Sequence, residues 1–425
     1  MELPVSLAKN IEFLSRFPKL NGFNGFGGYG LTTEGGLQSP LAEVTDFGSN
    51  PGDLRMLAFA PGNLERTPAL VVVLHGCGQT AAGYDLGAGW SSLAESYGFA
   101  LLMPEQQRSN NAQGCFNWFS PEDIARDSGE ACSVRQMIAR MVSDHGIDPR
   151  RIFVTGLSAG GAMTSVMLAT YPEVFAAGAI IAGLPFGVAT NVREALSGMF
   201  QSPSRPAGEL GDLVRNASQH QGPWPKLSVW HGSADHTVNP ANANEIVKQW
   251  LDVHDLPLAP MSSADVDGYP REVWWDADGE TIVESYTITD MAHGTPLGIA
   301  DNDERYGAEG AFLIEAGISS SYHIASFFGL TGPISRPRAT AEVSKPVAKP
   351  VAAKAVAAKP VAAKPIAAKP IPLPPASPGK PDVATVLRPL TTLPRPAETP
   401  GQPRRRSIDV GAVITRALTA AGLMK

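Results

Sequence analysis

Between residues 54 and 330, short apolar runs alternate with segments whose apolar residues recur every three to four positions. The runs at 54–60, 70–74, 100–103, 152–155, 176–182 and 227–230 read as strands. Among them, Leu70-Val71-Val72-Val73-Leu74 has the unbroken apolar pattern of a strand buried on both faces. Segments 91–97, 124–145, 159–170 and 242–253 read as helices, and a further helix over 308–328 closes the body. Residues 271–275 and 281–289 flank Asp276-Ala277-Asp278-Gly279, which reads as a hairpin turn. This alternation predicts the α/β class, a mainly parallel sheet with helices on both faces.

The flanks read differently. Leu7, Ile11, Leu14 and Phe17 recur at helical spacing, predicting a short amphipathic helix that packs on the body or binds a partner. The Gly-rich run that follows it reads as a connector, so residues 1–40 precede a globular body at 41–330. From Val343 the chain becomes a repeat of Ala, Lys, Pro and Val with too little apolar bulk to offset chain entropy. Residues 331–406 are therefore expected to form a disordered, semi-extended linker. Residues 407–425 read as a short amphipathic helix: Ser407 can cap it, Val410, Val413, Ile414 and Leu418 share a face, and Gly422 can end it.

Composition sharpens this division. A chain of 425 residues could hold one large domain or two ordinary ones, but its 37 prolines concentrate after Pro333, so the globular mass ends near there. Residues 1–330 carry 18 Lys and Arg against 37 Asp and Glu, net −19, whereas residues 331–425 carry 16 against 4, net +12. The acidic body argues against nucleic acid as its ligand, and the basic tail points to an anionic surface. No apolar run is long enough to span a bilayer. The first residues lack the basic start and unbroken apolar run of a secretory signal, which leads to the expectation of a cytoplasmic protein. Three cysteines are too few for a disulfide framework.

The chemistry gathers in five places. Gly156-Leu157-Ser158-Ala159-Gly160 lies between a predicted strand and a predicted helix, the setting of a nucleophile elbow in the α/β-hydrolase fold, with Ser158 as nucleophile. The alternative is a tight turn in which Ser158 caps the helix. A serine needs a base, and the base an orienting carboxylate, in the chain order Ser, Asp, His. Asp235, just past the strand ending at Trp230, is the expected acid, the alternative being a cap for a helix starting near Pro240. His293, in a Gly-containing loop after the last strand, is the expected base; adjacent His236 competes, while His145, His220, His254 and His323 lack such a context. After the first buried strand, Leu74-His75-Gly76-Cys77-Gly78-Gln79 is the expected oxyanion loop, with the backbone amides of Cys77 and Ala159 as donors, or else simply a Gly-rich turn. No metal-ligand spacing and no cofactor motif occurs, so neither is expected.

These motifs, with Cys115-Phe116-Asn117-Trp118-Phe119, Trp230-His231-Gly232-Ser233-Ala234-Asp235 and Ala292-His293-Gly294, resemble the polyhydroxybutyrate depolymerase-like serine esterases, a family similar to feruloyl and acetylxylan esterases. The resemblance spans roughly residues 69–298. It implies hydrolysis of carboxylic esters through an acyl-enzyme on Ser158, Asp235 and His293, with short 3-hydroxyalkanoate esters or oligomers as substrates. Feruloyl or acetylxylan esterase activity is the alternative. It further implies a Cys77–Cys115 disulfide beside the oxyanion hole and makes Trp118 a candidate wall of the substrate pocket. Such a disulfide points to an extracellular protein as the alternative to a cytoplasmic one. A non-enzymatic alternative is a binding protein whose basic tail anchors it to an anionic surface or polyester granule.

Overall fold

The computed structural model describes residues 38–332; the helices expected around residues 7–17 and 407–425, and the linker beyond residue 332, lie outside the described residues. The chain enters through β1 (Ala42–Val44), β2 (Arg55–Phe59) and β3 (Leu70–Leu74), then α1 (Ala81–Ala88), α2 (Trp90–Tyr97) and β4 (Ala100–Glu105). It continues through α3 (Pro121–Ile124), α4 (Gly129–His145), β5 (Ile152–Leu157), α5 (Ala159–Thr170) and β6 (Ala177–Ile181). Helices α6 (Val192–Gln201) and α7 (Ala207–Arg215) lead to β7 (Lys226–Gly232) and α8 (Ala241–Val253). The strands β8 (Ser262–Val266), β9 (Tyr269–Trp275) and β10 (Thr281–Ile288) follow, then β11 (Thr295–Leu297), β12 (Leu313–Glu315) and α9 (Ser320–Phe327).

Ten strands form one sheet in the order β1-β2-β4-β3-β5-β6-β7-β10-β9-β8. The run from β4 to β10 is parallel, with antiparallel strands added at both ends. All five side chains of β3 are fully buried because alternate residues face opposite layers. Leu70, Val72 and Leu74 pack in one apolar cluster with Val134, Met137, Ile138 and Met141 of α4. Val71 and Val73 join the other with Trp90 and Leu93 of α2 and Ile324 of α9. Each such side chain stabilises the fold by roughly 1.5–3 kcal/mol. The order β4-β3-β5 is decisive for function: β3 connects to β4 on one side and β5 to β6 on the other. A crevice therefore opens at the carboxyl ends of β3 and β5, where ligands meet open α/β sheets.

Two helix expectations are corrected. The helix expected at 124–145 is broken: α3 ends at Ile124 and α4 begins at Gly129, with Asp127 at φ 61° between them. A side chain at Gly129 would come within 2.4 Å of the Asp123 Cα, and the Tyr171 hydroxyl accepts the amide proton of Asp127 at 2.7 Å, so the backbone turns there. The helix expected at 308–328 is instead β12, paired in parallel with β11, followed by α9. Phe312 at φ 62° and Gly317 at φ 79° interrupt the helical path. Helix α1 carries no apolar period strong enough to announce it; Thr80 caps it through its side chain and Gly89 ends it in the left-handed conformation.

Candidate active site

Ser158 follows β5 directly and occupies φ 57°, ψ −116°, a conformation that costs a non-glycine residue about 1–3 kcal/mol. Its surroundings hold it there. The Ser158 amide donates to the Ile181 carbonyl at 2.9 Å. A Cβ at Gly156 would lie 2.4 Å from the Gly160 carbonyl carbon, and one at Gly160 would lie 2.2 Å from the Leu74 oxygen. The two glycines thus let α5 start in contact with the end of β3. This is the physical reason for the G-x-S-x-G spacing: it seats the serine at the crevice between β3 and β5, 9% exposed, with the amino end of α5 behind it.

The Ala159 amide, at the first position of α5, has no intrahelical acceptor, and neither it nor the Cys77 amide donates a hydrogen bond among the described residues. The loop bearing Cys77 is held from several directions. Gly76 donates its amide to Gln79 Oε1 at 2.9 Å, and Gln79 Nε2 donates to the Ala311 carbonyl at 3.2 Å. His75 is fully buried. Its Nε2 accepts the Gln106 amide at 3.1 Å, so the proton resides on Nδ1, which donates to the Gly76 carbonyl at 2.8 Å. Burial holds its pKa below the usual imidazole range, which keeps the ring neutral.

Cys77 and Cys115 are joined by a disulfide with a Cα–Cα distance of 4.2 Å. The Cys115 side is fastened to Glu130, which is buried and faces four donors: Gln106 Nε2 at 2.6 Å, Asn117 Nδ2 at 2.7 Å, the Asn117 amide at 2.9 Å and Asn110 Nδ2 at 3.1 Å. Burial nevertheless pushes the Glu130 carboxyl up to about 8. Trp118 is buried in the apolar cluster that also contains Ala159 and Met163, its ring edge-on to Phe119. Beside the Cys77 and Cys115 loops opens a cleft of about 700 Å³, lined by Gly78, Gln79, Leu86, Gly114, Ala311 and Leu313.

Asp235 and His293 come together because β7 and β10 are parallel neighbours whose following loops interlock. The Ser233 amide donates to Ile288, the Ala234 amide to Met291, and the Asp290 amide to Ser233 Oγ. His293 Nδ1 lies 2.7 Å from Asp235 Oδ2, and the edge of the His293 ring meets Phe312 at a centroid distance of 5.7 Å. With Nδ1 engaged, Nε2 is the nitrogen left for chemistry. The second oxygen of Asp235, Oδ1, accepts the amides of Thr237 and Val238 at 2.8 and 2.9 Å, so the carboxylate does not cap α8, which starts at Ala241. Burial raises the Asp235 pKa, but the hydrogen bonds from His231 and His293 outweigh it and hold the carboxyl well below its usual range.

The remaining histidines divide clearly. His236 is exposed, His220 and His254 are within 2.8 and 3.0 Å of the carbonyls of Pro223 and Pro225, and His323 pairs with Asp267 at 2.8 Å. Asp267, Asp301 and His323 place one possible ligand atom each within 4.8 Å of one another, and share no residue with the Ser158 site. His231 was not anticipated from the sequence, though it stands in the motif that carries Asp235; its Nε2 lies 3.1 Å from Asp235 Oδ2.

A large parallel-centred sheet with a serine on a strained strand-to-helix turn at the sheet's carboxyl edge defines the class of fold: the protein is an α/β hydrolase. The family described as Esterase PHB depolymerase matches residues 55–265. The chain is 46% identical to poly(3-hydroxyalkanoate) depolymerase C of Paucimonas lemoignei over 69% of its own length and 70% of the relative's. It is 33% identical to an acetylxylan esterase of Coprinopsis cinerea over 60% of this chain and 69% of that one. Among solved structures, an acetyl xylan esterase from Aspergillus awamori superposes with a TM-score of 0.58 at 27% identity, covering 68% of this chain and 99% of that one. The chain belongs to the polyhydroxybutyrate depolymerase family of serine esterases.

Proposed function

We infer that the protein hydrolyses short 3-hydroxyalkanoate esters and oligomers by two-step acyl transfer through Ser158, His293 and Asp235. The observation that carries this reading is Ser158 at the head of α5 with the paired His293 and Asp235 on the loops after β10 and β7. His293 Nε2 takes the hydroxyl proton as Ser158 Oγ bonds to the ester carbonyl carbon. The carbonyl oxygen becomes an oxyanion facing the amides of Cys77 and Ala159. The C–O bond to the alcohol then breaks and the alcohol leaves with the proton from His293. Water, deprotonated by the same nitrogen, attacks the acyl-enzyme and releases the acid and free serine. Asp235 keeps the His293 proton on Nδ1 throughout. Among the described residues His293 bonds Asp235 and shares no hydrogen bond with the Ser158 hydroxyl; the bond between them would form as substrate fills the site.

The cleft of about 700 Å³ beside the Cys77 loop has apolar lining at Leu86, Ala311 and Leu313 and does not include Ser158; apolar hydroxyalkanoate units suit that lining better than a sugar. Identity to the Paucimonas lemoignei depolymerase, higher than to the Coprinopsis cinerea acetylxylan esterase, supports the same choice. The Cys77–Cys115 disulfide favours an oxidising, extracellular setting over the cytoplasm. Among the described residues no helix is long and apolar enough to cross a membrane. The basic tail at 331–425, net +12, would contact an anionic surface or polyester granule. A panel of hydroxybutyrate oligomers, methyl ferulate and acetylated xylan tests the substrate reading: the oligomers should give the highest kcat/KM, and preference for ferulate or xylan would overturn it.

A further inference from the structure

We propose that His231 is a positioning residue for the reaction, a second histidine that fixes the same Asp235 oxygen that His293 engages. The proposal rests on the Ser158, His293 and Asp235 reading above and assigns a role to a residue that reading does not use.

His231 is on β7, four residues before Asp235, and is 3% exposed. Its Nε2 lies 3.1 Å from Asp235 Oδ2 and 3.0 Å from the Val238 carbonyl oxygen. Both neighbours are acceptors, so Nε2 carries the proton and donates. Its Nδ1 is buried with no hydrogen-bond partner among the described residues. The ring therefore does its polar work at one end alone, toward Asp235 and the Val238 carbonyl, and leaves the other end unsatisfied. A side chain selected only to fill this space would be apolar and would avoid that cost.

The consequence for Asp235 is geometric. Oδ2 receives two imidazole hydrogens, from His293 at 2.7 Å and His231 at 3.1 Å, while Oδ1 receives the amides of Thr237 and Val238. The two amides hold one carboxylate oxygen; His231 fixes the other. The same His231 proton also bonds to Val238, whose amide holds Oδ1, so the loop and the carboxylate are tied by a single ring. Without it, Oδ2 can swing out of line with His293 Nδ1, and the imidazole loses the orientation that directs Nε2 at Ser158. The effect belongs to turnover and not to substrate affinity, because His231 is buried against Asp235 and Val238 and the oriented base matters most in the transition state.

The test compares His231→Leu, His231→Asn and His231→Gln with the wild type on p-nitrophenyl butyrate, each also made with Asp235→Asn. Gln can place an amide donor near the position of Nε2; Leu has none and Asn stops short. His231→Leu should lower kcat by at least about tenfold with KM within about twofold, and His231→Gln should recover most of the loss. If the leucine variant does not fold, His231→Asn carries the same expectation. With Asp235→Asn present, replacing His231 should lower kcat no further, since the group it positions is already disabled. Unchanged kcat in His231→Leu or His231→Asn, equal loss in the two backgrounds, or a glutamine variant no better than the leucine one would each overturn the proposal. Wild-type kcat in Asp235→Asn alone would instead refute the triad reading beneath it.

Discussion

His293 Nδ1 and Asp235 Oδ2 meet at 2.7 Å across 58 residues of sequence because the strands that deliver them, β10 and β7, are hydrogen-bonded neighbours. The pair is buried, and its carboxylate is held ionised by the hydrogens it accepts. Asp235→Asn keeps the shape and removes the charge that fixes the His293 tautomer. We expect kcat on p-nitrophenyl butyrate to fall by about 10²- to 10⁴-fold while the fold persists, measured by steady-state kinetics alongside circular dichroism.

The elbow has no room for one more methyl group. At Gly160 a Cβ would stand 2.2 Å from the Leu74 oxygen and 2.6 Å from the His75 oxygen, both backbone atoms that cannot rotate away. Gly160→Ala should push α5 from the end of β3, separating the Ala159 and Cys77 amides. A destabilisation of about 1–3 kcal/mol or more in urea denaturation is expected, with a larger proportional loss in kcat. A variant of native stability and activity would show that the contact between α5 and β3 is looser than described.

The disulfide closes a loop with a sequence separation of 38 and anchors Cys77 to the segment organised by Glu130. Cys115→Ser should lower the unfolding free energy by about 4 kcal/mol on the chain-entropy model. Because the Cys77 amide is also freed to move, kcat should drop while Ser158 still reacts with an organophosphonate. Thermal melts and turnover of the variant, with and without reductant, check both parts; reductant should affect only the wild type.

Glu130 makes stability depend on pH in a definite direction. Burial, aided by the nearby charge of Asp123, raises its folded pKa from the ordinary 4.5 to about 8. The unfolded chain ionises first, so this stabilisation is complete below the unfolded value, declines as pH rises, and is lost above about 8. Urea midpoints of the wild type should therefore fall between about pH 5 and about pH 9 more steeply than those of Glu130→Gln. At about pH 5 the glutamine variant should itself be less stable by about 1–3 kcal/mol, since its amide offers a donor where the carboxyl group accepted one. Parallel pH curves would contradict this.

How far the sequence revealed this molecule varies with the kind of signal. β3 was legible because burial on both faces demands an unbroken apolar run, and the Asp276 to Gly279 turn because its residues suit a hairpin. The segment 308–328 misled, because its apolar spacing mimics a helix while Phe312 and Gly317 turn the backbone and β11 offers a parallel partner. At the site, the motifs point to Ser158, Asp235 and His293, and the structure places Asp235 against His293. His231, although inside the motif that carries Asp235, and Glu130 were missed for the same reason: the hydrogen bonds each makes are set by neighbouring strands and loops and cannot be read from their own positions in the chain.

In the proposed reaction Ser158 carries the acyl group. Rapid quenching of the enzyme during turnover of p-nitrophenyl butyrate, followed by intact-mass and peptide analysis, tests it most directly. One added butyryl group is expected on the peptide containing Ser158, absent in Ser158→Ala, which should also lose turnover. A butyryl group on another residue, or wild-type turnover by Ser158→Ala, would contradict it.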